Sequence, residues 1–137
     1  MSDTISLKEK ALDYFMHGYS CSECIVKACI DLGICPEELL PCSTTFSAGM
    51  SSGCTCGAIT SSQLILGYLF GRGNKFGNNI SAREKASEFV EEFKNRNKVT
   101  CCRILSAGYS GSERKKHCSK FVSDACDILE ELMKVKV

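Results

Sequence analysis

Apolar residues recur at helical spacing along much of the chain, and no stretch sustains the period-two alternation of a half-buried strand. Ser6-Leu7-Lys8-Glu9 has the form of a capping box. Leu7, Ala11, Tyr14 and Phe15 follow it as an apolar stripe that Gly18 ends. Ser20-Cys21-Ser22-Glu23 repeats the box and predicts a helix through Ile25, Ala28 and Ile30 to Gly33. A third box, Ser81-Ala82-Arg83-Glu84, opens a strongly polar helix with Phe89, Val90 and Phe93 on its buried side. The last helix is expected from about His117 to Lys134, with Phe121, Val122, Ala125, Ile128, Leu129 and Leu132 facing inward.

Between these amphipathic segments the pattern changes. Ala58 to Phe70 has no charge and is apolar on several faces, as a buried central helix would be. Gly71-Arg72-Gly73-Asn74 breaks it, and Asn74–Asn79 reads as a turn-rich connection. Leu40–Gly53 and Ser106–Lys116 read as irregular. With no repeat and no linker, residues 1–137 are expected to form a single cysteine-rich, all-α domain. Its architecture would be a compact bundle of about five helices around a buried apolar one.

Charge adds little to this picture. The formal net charge of +1 offers no overall field for nucleic acid or an anionic membrane, so neither partner is expected. The N-terminus lacks the basic and apolar regions of a signal peptide, and the longest apolar run is too short to span a bilayer. Both point to the cytoplasm.

Cysteine changes it most. Eleven cysteines in 137 residues is a number typical of secreted disulfide scaffolds. A reducing cytoplasm disfavours structural disulfides, and an odd count cannot pair fully within one chain. Metal binding or thiol chemistry is the expected use. A mostly thiolate donor set favours iron–sulfur or zinc.

Position then selects among the cysteines. Cys21 opens a capped helix with Cys24 one turn on, Cys56 precedes Gly57-Ala58 at the start of the central helix, Cys101 and Cys102 follow Thr100, and Cys118 begins the last helix. Unpaired N–H groups and the partial positive charge at a helix start favour thiolate, and the same N–H groups can hydrogen-bond cluster sulfurs. Gly57 would let backbone approach such a site without a Cβ in the way. Cys54 and Cys101 each adjoin a stronger candidate and are read with Cys24 as additional ligands or resolving thiols. Vicinal Cys101 and Cys102 make poor mutual disulfide partners.

The remaining candidates have simpler readings. Cys29 and Cys126 lie mid-helix among apolar neighbours and are expected in the core. Cys35 and Cys42 flank the compact turn Pro36–Pro41 and could pair with each other, bind a second metal or stand as solvent-exposed loop thiols. His17 complements a helix C-terminus, His117 neighbours Cys118 as a minor modulator or ligand, and Arg114-Lys115-Lys116 reads as a solvated loop or, less simply, as a dock for an acidic electron-transfer partner.

Gly18-Tyr19-Ser20-Cys21, Cys56-Gly57-Ala58-Ile59-Thr60-Ser61, Cys102-Arg103-Ile104-Leu105 and Cys118 together resemble the C_GCAxxG_C_C family over nearly the whole chain. That family has four characteristic cysteines and a CGAxxG motif, whose final glycine is Ser61 here. The resemblance implies redox activity and maps Cys21, Cys56, Cys102 and Cys118 onto the four; Cys102 is taken over Cys101 because Arg103-Ile104-Leu105 follows it.

The expectation is therefore a small electron carrier, rather than an enzyme with its own substrate. It would hold a [2Fe–2S] or [4Fe–4S] cluster through Cys21, Cys56, Cys102 and Cys118 at helix N-termini. Its partners would be a redox protein and a second copy of the chain. Two alternatives stand beside it: a metal-free thiol–disulfide oxidoreductase and a zinc-stabilised interaction module.

Overall fold

A computed structural model describes residues 6–73 and 78–134. The expected connection at Asn74–Asn79 therefore lies mostly outside the described residues. Those described form seven α-helices and no strand: α1 (Leu7–Met16), α2 (Cys21–Asp31), α3 (Leu39–Thr44), α4 (Gly57–Phe70), α5 (Ile80–Asn97), α6 (Cys102–Leu105) and α7 (Gly111–Met133). The all-α expectation holds, with two short helices more than expected.

Both N-terminal capping boxes form. Ser6 and Ser20 each accept the N–H of the residue three on, Glu9 and Glu23, whose carboxylates accept the cap N–H in return. The third box does not form. Asn78 Oδ1 accepts the Ile80 N–H at 2.9 Å, so α5 starts above Ser81 and places that serine in its first turn. The segment expected to be irregular from Leu40 contains α3, which accommodates Pro41 because a first-turn N–H has no helical partner to lose. Helix α7 begins at Gly111, well before the expected His117. Its first two turns are polar and partly solvated, so apolar periodicity starts only at Phe121.

The core lies where α1, α2, α4, α5 and α7 meet. Leu7, Ile25, Ile59, Ile65, Phe89 and Leu129 are fully enclosed there. α4 is mostly buried as expected, apart from an exposed turn at Gly67 and Tyr68. Polar α5 is held by Phe89 and Phe93, each of which stabilises the fold by roughly 1.5–3 kcal/mol on burial. Phe93 also packs tilted against Phe121 of α7, with ring centres 6.2 Å apart. Cys29, Cys35 and Cys126 belong to this core, so Cys35, though in a loop, is not a solvent-exposed thiol. Among the described residues no helix is long and apolar enough to cross a membrane.

Candidate functional site

Between the core and the loops at one end lies a cavity of about 220 Å³. Cys21, Cys56, Cys102 and Cys118 all line it, brought from four separate segments. Phe15, Leu105 and Phe121 form its apolar wall, and Arg114 and Lys115 its cationic one. Each cysteine interacts electrostatically with two others of the set: Cys56 with Cys21 and Cys102, Cys118 with Cys21 and Cys102. No group of three His, Cys, Asp or Glu side chains among the described residues is arranged to hold one metal ion.

Cys21 is the first residue of α2, and a polar web fixes the loop above it. Ser22 donates to the Ser43 carbonyl at 2.7 Å, Ser47 to Ser20 Oγ at 2.7 Å and Thr44 to Glu23 at 2.8 Å. The chain then turns through the left-handed region at Ala48, Gly49, Met50 and Ser51, with φ between 54° and 63°. For three residues with a Cβ this costs about 1–2 kcal/mol each. The turn leaves the Ala48 N–H on the Cys21 sulfur, and the Gly57 N–H reaches the same sulfur from the start of α4. A Cβ on Gly57 would stand 2.6 Å from Cys21 Sγ and 2.8 Å from the Phe46 carbonyl, so glycine is required for this approach.

Cys56, the N-cap of α4, completes the first pair. Its thiol donates to Cys21, and that bond, with the N–H groups of Ala48 and Gly57, holds the Cys21 thiol down to about 6 against burial. Donating to Cys21, and burial, push the Cys56 thiol well above the ordinary range. Cys21 is the thiolate of the pair because it accepts the Cys56 thiol and the N–H groups of Ala48 and Gly57, while Cys56 accepts from the Ala58 N–H.

A short backbone pairing supplies Cys102. The Cys56 N–H donates to the Thr100 carbonyl at 2.8 Å and the Cys102 N–H donates to the Cys54 carbonyl, bridging Thr55 and Cys101 antiparallel. Alternation across such a bridge puts Thr55 and Cys101 on one face and Cys56 and Cys102 on the other. This selects Cys102 for the cavity. Cys101 turns away and donates to the Gly53 carbonyl at 3.2 Å, while Cys54 is solvent-exposed. Cys24, also considered a ligand, is fully buried, donates to the Cys21 carbonyl and has its thiol raised by burial. None of the three lines the cavity.

Cys118 corrects one expectation. It lies two turns inside α7 and not at a helix start, so three of the four cysteines stand at helix N-termini. Its positive neighbour is a side chain one turn earlier. Arg114 Nη2 donates to Cys102 Sγ at 3.4 Å and the same guanidinium bonds Cys118, opposing the rise that burial imposes on that thiol. Arg114-Lys115 is therefore no solvated loop. Lys115 donates to the Tyr19 carbonyl at 2.9 Å and lies 4.1 Å from the Phe15 ring centre. His117 stays outside the cavity; it bonds the Leu105 carbonyl at 2.9 Å and stacks on Tyr109. The missed residues had a signal, since Arg114 and Cys118 are four apart and share a helix face.

A site of four cysteines around one cavity, beside a glycine-dependent thiolate nest, is a redox site in its chemistry. The chain matches the family described as "Putative redox-active protein (C_GCAxxG_C_C)" over residues 19–132 and belongs to it. No curated protein and no solved structure matches the chain. Ser61, at the final glycine of the family motif, is fully buried and donates its hydroxyl to the Ala58 carbonyl of its own turn, so the polar group is satisfied.

Proposed function

We propose that the chain is an electron carrier holding an iron–sulfur cluster through Cys21, Cys56, Cys102 and Cys118. The observation that carries this reading is the convergence of those four cysteines on one cavity. The four side chains come from four separate segments and share one lining, as the ligands of a cluster assembled across a fold would. The donor set is wholly thiolate, the ligation such clusters take. When bound, the cluster would store and release one electron.

The chain's own groups have distinct tasks in this reading. Backbone N–H groups of Ala48, Gly57 and Ala58 bond the Cys21 and Cys56 sulfurs and spread their negative charge. Arg114 does the same for Cys102 and Cys118. Phe15, Leu105 and Phe121 keep water from the site. The test is iron and acid-labile sulfide content, with a visible spectrum, on protein purified without oxygen. Stoichiometric iron and sulfide, lost in Cys56→Ser, is the expected result. A colourless chain that takes up neither after anaerobic reconstitution overturns the reading, and bound zinc in it would indicate a structural metal instead.

The Cys21–Cys56 contact favours a second reading, a two-electron dithiol. The Cys21 thiolate would attack a substrate disulfide and expel one substrate sulfur as thiolate. Cys56, giving up its proton, would then attack Cys21 and release the second substrate sulfur, leaving a Cys21–Cys56 disulfide and a reduced substrate dithiol. Reversible two-electron titration of metal-free protein, abolished in Cys21→Ser, distinguishes it from the cluster.

A further inference from the structure

The near-zero net charge conceals a division. Residues 93–120 carry eight of the 17 Lys and Arg but only one of the 16 Asp and Glu, Glu113. That basic stretch is also the one that supplies Cys102, Cys118 and Arg114 to the cavity. Acidic residues collect at the other end of the same helices, where Glu88, Glu91, Glu130 and Glu131 line a separate groove between α5 and α7. Along α7 the Arg114–Lys116 turn and the Glu130–Glu131 turn are about 24 Å apart at 1.5 Å per residue. That exceeds two Debye lengths at physiological salt, so the two ends present separate fields.

The segments around the cavity also leave apolar side chains in water. Ile104 is 60% exposed, Tyr109 45% and Met50 43%, and they lie on α6, the loop after it and the left-handed turn packed against it. Exposed Arg103 joins these segments, since its guanidinium donates to the Ser52 carbonyl at 2.9 Å. Exposed Lys116 extends the cationic wall outward. Cations around exposed apolar groups, beside a redox site, form a surface that steers and then holds an acidic protein.

We propose that this face, carrying Arg103, Ile104, Tyr109 and Lys116, docks a redox partner protein with an acidic surface. The apolar residues favour a protein over nucleic acid, whose binding rests on phosphate contacts. The inference rests on the site being redox-active, whichever chemistry fills it.

The test compares rates at which the metal-free chain reacts with two disulfides of opposite charge. These are the dianion 5,5′-dithiobis(2-nitrobenzoate) and the dication cystamine, at 10 and 200 mM salt. The anionic reagent should be preferred at low salt, with the preference falling several-fold at high salt. R103E/K116E should lower the preference about tenfold, and E88Q/E91Q should leave it unchanged. Poly-L-glutamate should slow the anionic reagent in the wild type but not in R103E/K116E. K116E alone serves if R103E/K116E does not fold. A preference unmoved by either charge reversal overturns the proposal. So does stronger protection by a DNA duplex than by poly-L-glutamate, or head-to-tail self-association at low salt, which would give the face to a second copy's acidic groove. Metal-free protein is used, so the outcome is independent of the iron content that decides between cluster and dithiol.

Discussion

The two halves of the site hold the same residue type by different means. Cys21 and Cys56 are served by backbone N–H groups aimed by a left-handed turn and by the start of α4. Cys102 and Cys118 share one guanidinium, that of Arg114. Backbone donors come with the fold and cannot be exchanged singly, whereas a side-chain counter-ion can be changed with the fold intact. The first half is therefore structural in origin and the second adjustable.

The most severe way to break that contrast is Gly57→Ala. The added Cβ meets Cys21 Sγ at 2.6 Å and a fixed carbonyl at 2.8 Å, so α4 must shift. A loss of about 2–3 kcal/mol in urea unfolding is expected, together with loss of the rapidly alkylated Cys21 thiolate. Arg114→Gln should act on the other half alone. Alkylation of Cys118 at pH 7.5 should slow several-fold by peptide mass spectrometry, Cys21 should keep its rate, and stability should change by less than about 1 kcal/mol. Equal slowing of all four thiols would show that the halves are not separate.

The pH dependence of stability sharpens the comparison further. Cys21 is depressed to about 6 in the folded chain, so between pH 6 and the unfolded value of about 8.5 the unfolded state binds the extra proton and stability rises with pH. Cys24, Cys29 and Cys126 are raised by burial, so above about 8.5 the folded state binds the extra protons and stability falls. Denaturation midpoints from pH 5 to 10 should trace a dome whose rising limb disappears in Cys21→Ser. The smallest effect is expected from Cys101→Ser. Its sulfur only donates to Gly53, a bond a hydroxyl can replace, and urea midpoints should agree within about 0.5 kcal/mol.

Much of the site was legible because its local signals agree with one another. The Ser20–Glu23 box fixes Cys21 as the first residue of a helix, and Cys56-Gly57-Ala58 marks the opening of α4. What escaped lies where local composition conflicts with structure. Gly111–Lys116 has the Gly, Ser and charge of a loop, yet it forms the solvated first turns of a long helix anchored by Phe121 and Leu129. That hid both the mid-helix position of Cys118 and the role of Arg114. The left-handed run from Ala48 to Ser51 contains one glycine, Gly49, and nothing in the types of Ala48, Met50 and Ser51 announces that they share its conformation. It is imposed by the hydrogen bonds of Ser22, Thr44 and Ser47, whose partners are distant in sequence. Cys102 is chosen over Cys101 from the Arg103-Ile104-Leu105 that follows it, but the geometric reason, a pairing with residues 54–56, has no local pattern to reveal it.

That pairing also sets an order of assembly during synthesis. Cys21 and Cys56 come from the first half of the chain, but the strand-like partner at 100–102 emerges about 45 residues after Cys56. At 5–20 residues per second the interval is roughly 2–9 s. For that time the nascent chain holds Cys21 and Cys56 with the other two cysteines not yet made. A group held by all four cysteines can therefore be completed only after translation has passed residue 118.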